Sequence, residues 1–130
     1  MYFHLAYIQE FDKVNGKLGL AGIFAIQWQD ETVKWNATNN GIHSLRYSSD
    51  DFWKPSFLIG NSYGRTTTIF KDDTVKRVIS DGRMFWMPRD IYKVTCIADV
   101  SKYPFDTHQC SVMLALLGYV DAELIVDHFL

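Results

Sequence analysis

The stretch Cys96-Ile97-Ala98-Asp99-Val100-Ser101-Lys102-Tyr103-Pro104-Phe105-Asp106-Thr107-His108-Gln109-Cys110 contains both cysteines of the chain, with thirteen residues between them. Two thiols in a small chain serve as free core residues, as metal ligands or as a disulfide. A metal site needs about four ligands. His108 lies near Cys110, but no second Cys or His pair accompanies it, and His4, His43 and His128 are scattered. A cysteine nucleophile with His108 as its base lacks an orienting third group. A disulfide fits the pair better than either. Closing a loop of about 15 residues stabilises a fold by ~3 kcal/mol in the chain-entropy model. Disulfides persist in oxidising compartments, which puts the domain outside the cytosol. Asn36-Ala37-Thr38, an acceptor triplet for N-linked sugar, points the same way.

Outward from this loop, the composition narrows the function classes. A chain of 130 residues reads as one domain spanning 1–130, long enough to bury a sizeable core. Hydrophobic residues at 48% and aromatics at 15% argue against disorder. The net charge is −2, and no basic run suggests nucleic acid. The longest apolar run, Val112 to Val120, falls short of the roughly 20 residues that span a bilayer. Met1-Tyr2-Phe3-His4-Leu5 lacks the basic start, apolar centre and cleavage site of a signal peptide. An extracellular domain with this start and with Phe129-Leu130 at its end reads as an excerpt, incomplete at both ends.

The hydropathy pattern is that of strands. Leu18, Leu20, Gly22, Phe24, Ile26 and Trp28 occupy the even positions of one run, and most odd positions are smaller or polar. This period of two predicts a strand with one buried face. Phe3, Leu5, Tyr7 and Phe11 predict a strand before it, and Asn15-Gly16 between the two is a hairpin signal. Further strands are predicted at 67–71, 75–80, 84–87, 91–98, 111–117 and 123–128. Asp81-Gly82 marks a second hairpin, and Asp72-Asp73 and Gly118 with Asp121 mark other turns. Pro55 and Pro88 restrict strands to edges or ends. Only 43–52 reads as a short helical turn. Many short strands at this spacing predict an all-β sandwich or barrel.

Five segments in order now resemble one family. They are the Cys loop with Tyr103-Pro104-Phe105-Asp106; Trp28-Gln29-Asp30 with Val33-Lys34-Trp35-Asn36; Trp53-Lys54-Pro55; Arg77-Val78-Ile79-Ser80-Asp81-Gly82; and Trp86-Met87-Pro88 leading through Ile91 to Cys96. Together they resemble the extracellular ligand-binding domain of Cys-loop receptors, the pentameric ligand-gated ion channels. The nicotinic acetylcholine receptor subunits and the soluble acetylcholine-binding proteins are the most similar branch. The resemblance covers nearly the whole chain. It implies a β-sandwich, a pentamer of identical or homologous subunits, and a small amine ligand held at each subunit seam by aromatic side chains. It implies neither enzyme activity nor a cofactor.

The resemblance also assigns residues. Trp28 matches the tryptophan of the complementary face, and Arg77, Phe85 and Met87 match the hairpin positions across the pocket. The principal face departs from the pattern: Gly60 stands where the family has a tyrosine and Leu117 where it has a ligand-stacking tryptophan. The third principal loop, with its vicinal cysteines, would lie beyond Leu130. Tyr119 is retained and reads as structural. In receptors of this family the Cys loop contacts the transmembrane domain, a role that the apolar Tyr103-Pro104-Phe105 tip suits and that Asn15-Gly16 would share. The sequence is therefore expected to supply a complementary face rather than a standard principal one. The rival expectation is a pentameric assembly protein of the same fold without orthosteric ligand binding.

Overall fold

In the computed structural model the described residues are 1–48, 52–64, 74–97, 101–103, 105 and 108–119. Among these residues, eight strands and one helical turn follow in chain order: β1 Tyr2–Asp12, β2 Lys17–Gln29, α1 Ala37–Asn40, β3 Ser44–Tyr47, β4 Phe57–Ile59, β5 Lys76–Ile79, β6 Arg83–Trp86, β7 Arg89–Thr95 and β8 Leu114–Leu116. All the pairings are antiparallel. The larger sheet runs β1-β2-β6-β5-β3, and β7 also pairs with β2. Strand β2 is long enough to take two partners along one edge. Its first half, Lys17 to Ile23, pairs with β7, and its last residues, Ile26 to Gln29, pair with β6. Strands β4 and β8 form the second, smaller sheet.

The core fills the space between the sheets. Leu18, Leu20, Phe24 and Ile26 of β2 meet Trp86, Tyr92 and Val94 from the same sheet and Phe57 and Ile59 of β4, with Val112, Leu114 and Leu116 packed against them. This is the expected β-sandwich. The even positions of β2 face inward as predicted, but Gly19, Ala21 and Ala25 on the odd face are buried too. Side chains this small lie low in the middle of a sheet, and the neighbouring strands cover them. Gly22 is required on the core face, because a Cβ there would collide with the Phe3 ring and with the His4 carbonyl oxygen at 2.6 Å.

Several local expectations change. In β1, register shifts between Leu5 and Tyr7 and between Ile8 and Glu10 break the alternation. Tyr7 pairs with Ala21 on the outward face, while Ile8 pairs with Leu20 on the core face. Each bulge inserts a residue and reverses the facing of those beyond it. The short helical turn expected over 43–52 is not formed at its described start, where Ser44–Tyr47 is a strand paired with β5, while 49–51 lie outside the described residues. The helical turn lies earlier, at Ala37–Asn40, where the Asn36 side chain accepts from the Thr38 N–H and Gly41 closes the turn at φ 66°. Strand β4 was not expected. The predicted strands at 67–71 and 123–128, Asp72-Asp73 and Asp121 lie outside the described residues.

Candidate functional site

The β5–β6 hairpin presents most of the sequence-predicted pocket residues. Its turn is held in three ways. The Asp81 carboxylate accepts from the Arg83 backbone N–H (3.1 Å) and from the Arg83 Nε–H (2.7 Å). The backbone bond, ahead of the side-chain contacts, holds the Asp81 carboxyl below its ordinary range. Gly82 adopts φ +90°, and a Cβ there would meet the Asp30 carbonyl and Gln29 Nε2. The Gly82 carbonyl accepts from Asp30 N–H (2.9 Å), and Gln29 Nε2 donates to the Asp81 carbonyl (2.8 Å), so the turn is fixed to the end of β2.

Register and alternation then decide which side chains share a face. Gln27 pairs with Phe85, Phe85 with Arg77, and Arg77 with Arg46, giving one row across four strands. Phe85 is half-buried, and Arg77, Arg46 and Gln27 are exposed. The Arg77 guanidinium donates to Ser44 Oγ (2.8 Å), which fixes its position. Met87, two residues beyond Phe85, is 55% exposed. Arg77, Phe85 and Met87 therefore lie together on the outward face of the larger sheet.

Trp28 does not join them. It pairs with Met84, which is fully buried, and its indole packs against the core cluster. It meets Trp53 edge-on at 6.2 Å, and Trp53 meets Tyr119 edge-on at 5.9 Å while its Nε1–H donates to the Tyr119 hydroxyl (2.8 Å). Strand β2 instead offers Gln27, Ala25 and Ile23 to the outward face. Ile23 pairs with Arg89, two residues along from Met87, and is half-buried. Parity along β2 was the signal that could have found Ile23.

Of the two positions expected at a principal face, Gly60 follows β4 and donates its N–H to the Met113 carbonyl (2.8 Å). Leu117 follows β8 and donates to the Ser56 carbonyl (3.0 Å). Phe57 pairs with Leu116 and Ile59 with Leu114, so Gly60 and Leu117 sit at opposite ends of the β4–β8 ladder.

The cysteines are bonded, with Cα atoms 5.0 Å apart, inside the range a disulfide tolerates. Cys96 N–H donates to the Gly16 carbonyl (2.8 Å), so the β1–β2 hairpin lies beside the Cys loop as expected. Asp12 builds that hairpin turn, accepting from Val14 N–H and Asn15 N–H (both 3.0 Å) and from Asn15 Nδ2 (2.6 Å). Four apolar side chains project at this end: Val14 is 93% exposed, Ile97 91%, Phe105 88% and Tyr103 76%. Pro104 and Asp106 lie outside the described residues. Among the described residues no helix is long and apolar enough to cross a membrane. Asn36 is exposed at the start of α1, its Oδ1 accepting from Thr38 N–H (3.0 Å).

Comparison with known proteins places these features. The family model described as "Neurotransmitter-gated ion-channel ligand binding domain" matches residues 1–128. A beta-type acetylcholine receptor subunit of Caenorhabditis elegans is 36% identical over 101 residues, 76% of this chain and 20% of the relative. The neuronal acetylcholine receptor subunit alpha-6 of Mus musculus is 29% identical over 134 residues, 95% of this chain and 26% of the relative. The neuronal acetylcholine receptor subunit beta-3 of Homo sapiens is 36% identical over 97 residues, 72% of this chain and 20% of the relative. The chain thus spans between 20% and 26% of the length of these relatives. With its antiparallel sandwich, its disulfide-closed loop and a family match from Met1 to His128, the chain belongs to the neurotransmitter-gated ion-channel ligand-binding domains.

Proposed function

We propose that this domain supplies the complementary half of a ligand site at a subunit seam in an extracellular, pentameric receptor of the nicotinic type. The single observation that carries the reading is the shared outward face of Arg77, Phe85 and Met87 on a hairpin whose turn is fixed to β2. An aromatic ring and a polarisable thioether suit the apolar flank of a small amine. The relatives are named as acetylcholine receptor subunits, which supports acetylcholine as the probe. Ile23 flanks the patch from β2. Trp28 serves it from the core side, by bracing Met84 and Trp53 beneath the sheet. Gly60 and Leu117 offer no ring at the principal face, so the principal half comes from a different, homologous subunit. The exposed Val14, Ile97, Tyr103 and Phe105 end suits contact with an apolar partner, which we take to be the transmembrane part of the receptor. Binding at the seam would then shift the conformational populations of the sandwich and its Cys loop.

The test is acetylcholine titration of the full-length subunit, co-assembled with a nicotinic alpha subunit that keeps the principal-face aromatics. Phe85→Ala is expected to weaken binding by ~1–2 kcal/mol, about five- to thirtyfold in Kd. Unchanged affinity overturns the complementary-face assignment. The same two residues, Gly60 and Leu117, favour the second reading, a subunit that keeps ring assembly and has lost the ligand. An intact ring that gives no response up to roughly millimolar acetylcholine, a free energy of about −4 kcal/mol, supports it.

A further inference from the structure

Segment 60–63 crosses from the smaller sheet to the larger one. Gly60 N–H bonds to the Met113 carbonyl beside β8, and Tyr63 N–H bonds to the Lys93 carbonyl of β7 (3.3 Å). Ser62 bridges to Val94. At its centre, Asn61 forms five hydrogen bonds. Its carbonyl accepts from the Thr95 N–H (2.8 Å) and the Thr95 hydroxyl (3.1 Å). Its side-chain oxygen accepts from Met113 N–H (2.9 Å), and its Nδ2 donates to the Thr95 carbonyl (3.1 Å) and the Ser111 carbonyl (2.7 Å). Thr95 immediately precedes Cys96, and Ser111 immediately follows Cys110. One amide group therefore grips both arms of the disulfide-closed loop at its neck, next to Gly60.

We propose that Asn61 is a positioning residue that couples segment 57–63, at the principal-face position Gly60, to the Cys loop. The neck has two fasteners, the Cys96–Cys110 bond and the Asn61 amide, joined through Thr95 and Ser111. A displacement of segment 57–63 moves Thr95 and Ser111 together, because both carbonyls share one donor group. The reverse holds as well, since an equilibrium coupling between two places is reciprocal. Loosening the disulfide loosens segment 57–63. No other side chain among the described residues has hydrogen bonds to both neck residues. The inference rests on the reading of Gly60 as a principal-face position.

The test uses the full-length subunit and no ligand, so its failure is distinct from a failure of the ligand reading. Hydrogen exchange is followed by mass spectrometry in the oxidised and the dithiothreitol-reduced protein. In the wild type, reduction is expected to speed exchange in segment 57–63 while the β5–β6 hairpin is unchanged. Asn61→Asp keeps an acceptor for Met113 N–H and loses both donated bonds. It is expected to raise the rate of disulfide reduction by about fivefold or more, and to abolish the effect of reduction on segment 57–63. A residue that only added stability would speed exchange in the hairpin to the same degree, and that outcome overturns the proposal. So does a wild type in which reduction leaves segment 57–63 unchanged, an observation that needs no variant to fold. Wild-type reduction kinetics in Asn61→Asp overturn it too.

Discussion

Trp28 and Tyr47 show how far a single side chain can be read. Trp28 occupies an even position of β2, the parity of Leu18, Leu20, Phe24 and Ile26, and that parity already assigns it to the core face. The motif Trp28-Gln29-Asp30 suggested a ligand role, yet a strand cannot present alternate faces at one position. Its indole packs on the core and on Trp53. Trp28→Ala is therefore expected to cost about 2–3 kcal/mol of stability, somewhat below a fully buried tryptophan, measured by urea unfolding. Wild-type stability with lost ligand affinity would place the residue in the pocket instead. Tyr47 was invisible to the sequence reading because its surroundings come from distant segments. Its ring meets Phe52 edge-on at 4.9 Å and lies 5.8 Å from the Lys76 Nζ, and its hydroxyl is buried without a hydrogen bond among the described residues. Burial, and secondarily the Asp30 charge, push its pKa up to about 12. The unfolded chain ionises near pH 10, so the folded state loses stability as pH rises from about 10 to about 12. Tyr47→Phe should lessen that alkaline loss, the remainder coming from Tyr92 and Tyr63, whose hydroxyls burial also pushes up. It should also raise stability at neutral pH by about 1 kcal/mol, because it deletes an unsatisfied buried group. Ultraviolet titration of the phenolates and unfolding against pH check both outcomes.

At the scale of elements, turns were the most legible features and strand facing the least. Asn15-Gly16 and Asp81-Gly82 are local chemistry, with side chains and positive φ values that few other residues supply, and both hairpins form where the sequence put them. The bulges of β1 are set by long-range register against β2, so alternation alone misassigned Tyr7. Strand β4 is three residues long and exists through its pairing with β8, so no local period announces it. Likewise the patch of Arg77, Phe85 and Met87 was legible because one hairpin carries it, whereas the odd parity of Ile23 gives its face and only the pairing of β2 with β7 sets it beside that patch. Asp12 offers a test of the first hairpin. The Asn15 side chain first, then the Asn15 backbone N–H, holds its carboxyl below the ordinary range. A depressed pKa stabilises the fold above the unfolded value of 3.8, and that stabilisation fades as pH falls through the folded pKa. Asp12→Ala should therefore be less stable than wild type at neutral pH, and the difference should shrink below about pH 4. A difference that stays constant to low pH would show that the carboxylate does not hold the turn.

Over the whole molecule, the two ends of the sandwich differ in character. Strand β2 runs from the Cys-loop end at Lys17 to the far end at Gln29, a span of about 40 Å at ~3.3 Å per residue. The near end exposes Val14, Ile97, Tyr103 and Phe105. The far end holds residues 30–43, tied to the β5–β6 hairpin through Trp35 N–H to the Ser80 carbonyl (3.1 Å) and Ser80 N–H to the His43 carbonyl (3.0 Å). Asn36 sits there, exposed, on backbone anchored on both sides. A bulky, hydrated glycan is compatible with that end and would obstruct apolar contact at the other. The polarity argument thus makes glycosylation a prediction about orientation as well as compartment. Expressed through a eukaryotic secretory pathway, the full-length chain should carry sugar at Asn36. Enzymatic deglycosylation should convert Asn36 to Asp, and Thr38→Ala should abolish occupancy without loss of folding. The same sample, alkylated before reduction, should show no free thiol at Cys96 or Cys110. A chain that passes through that pathway with Asn36 unmodified would remove the glycan from the argument. Free thiols would remove the oxidising compartment itself, because that compartment was inferred from the disulfide.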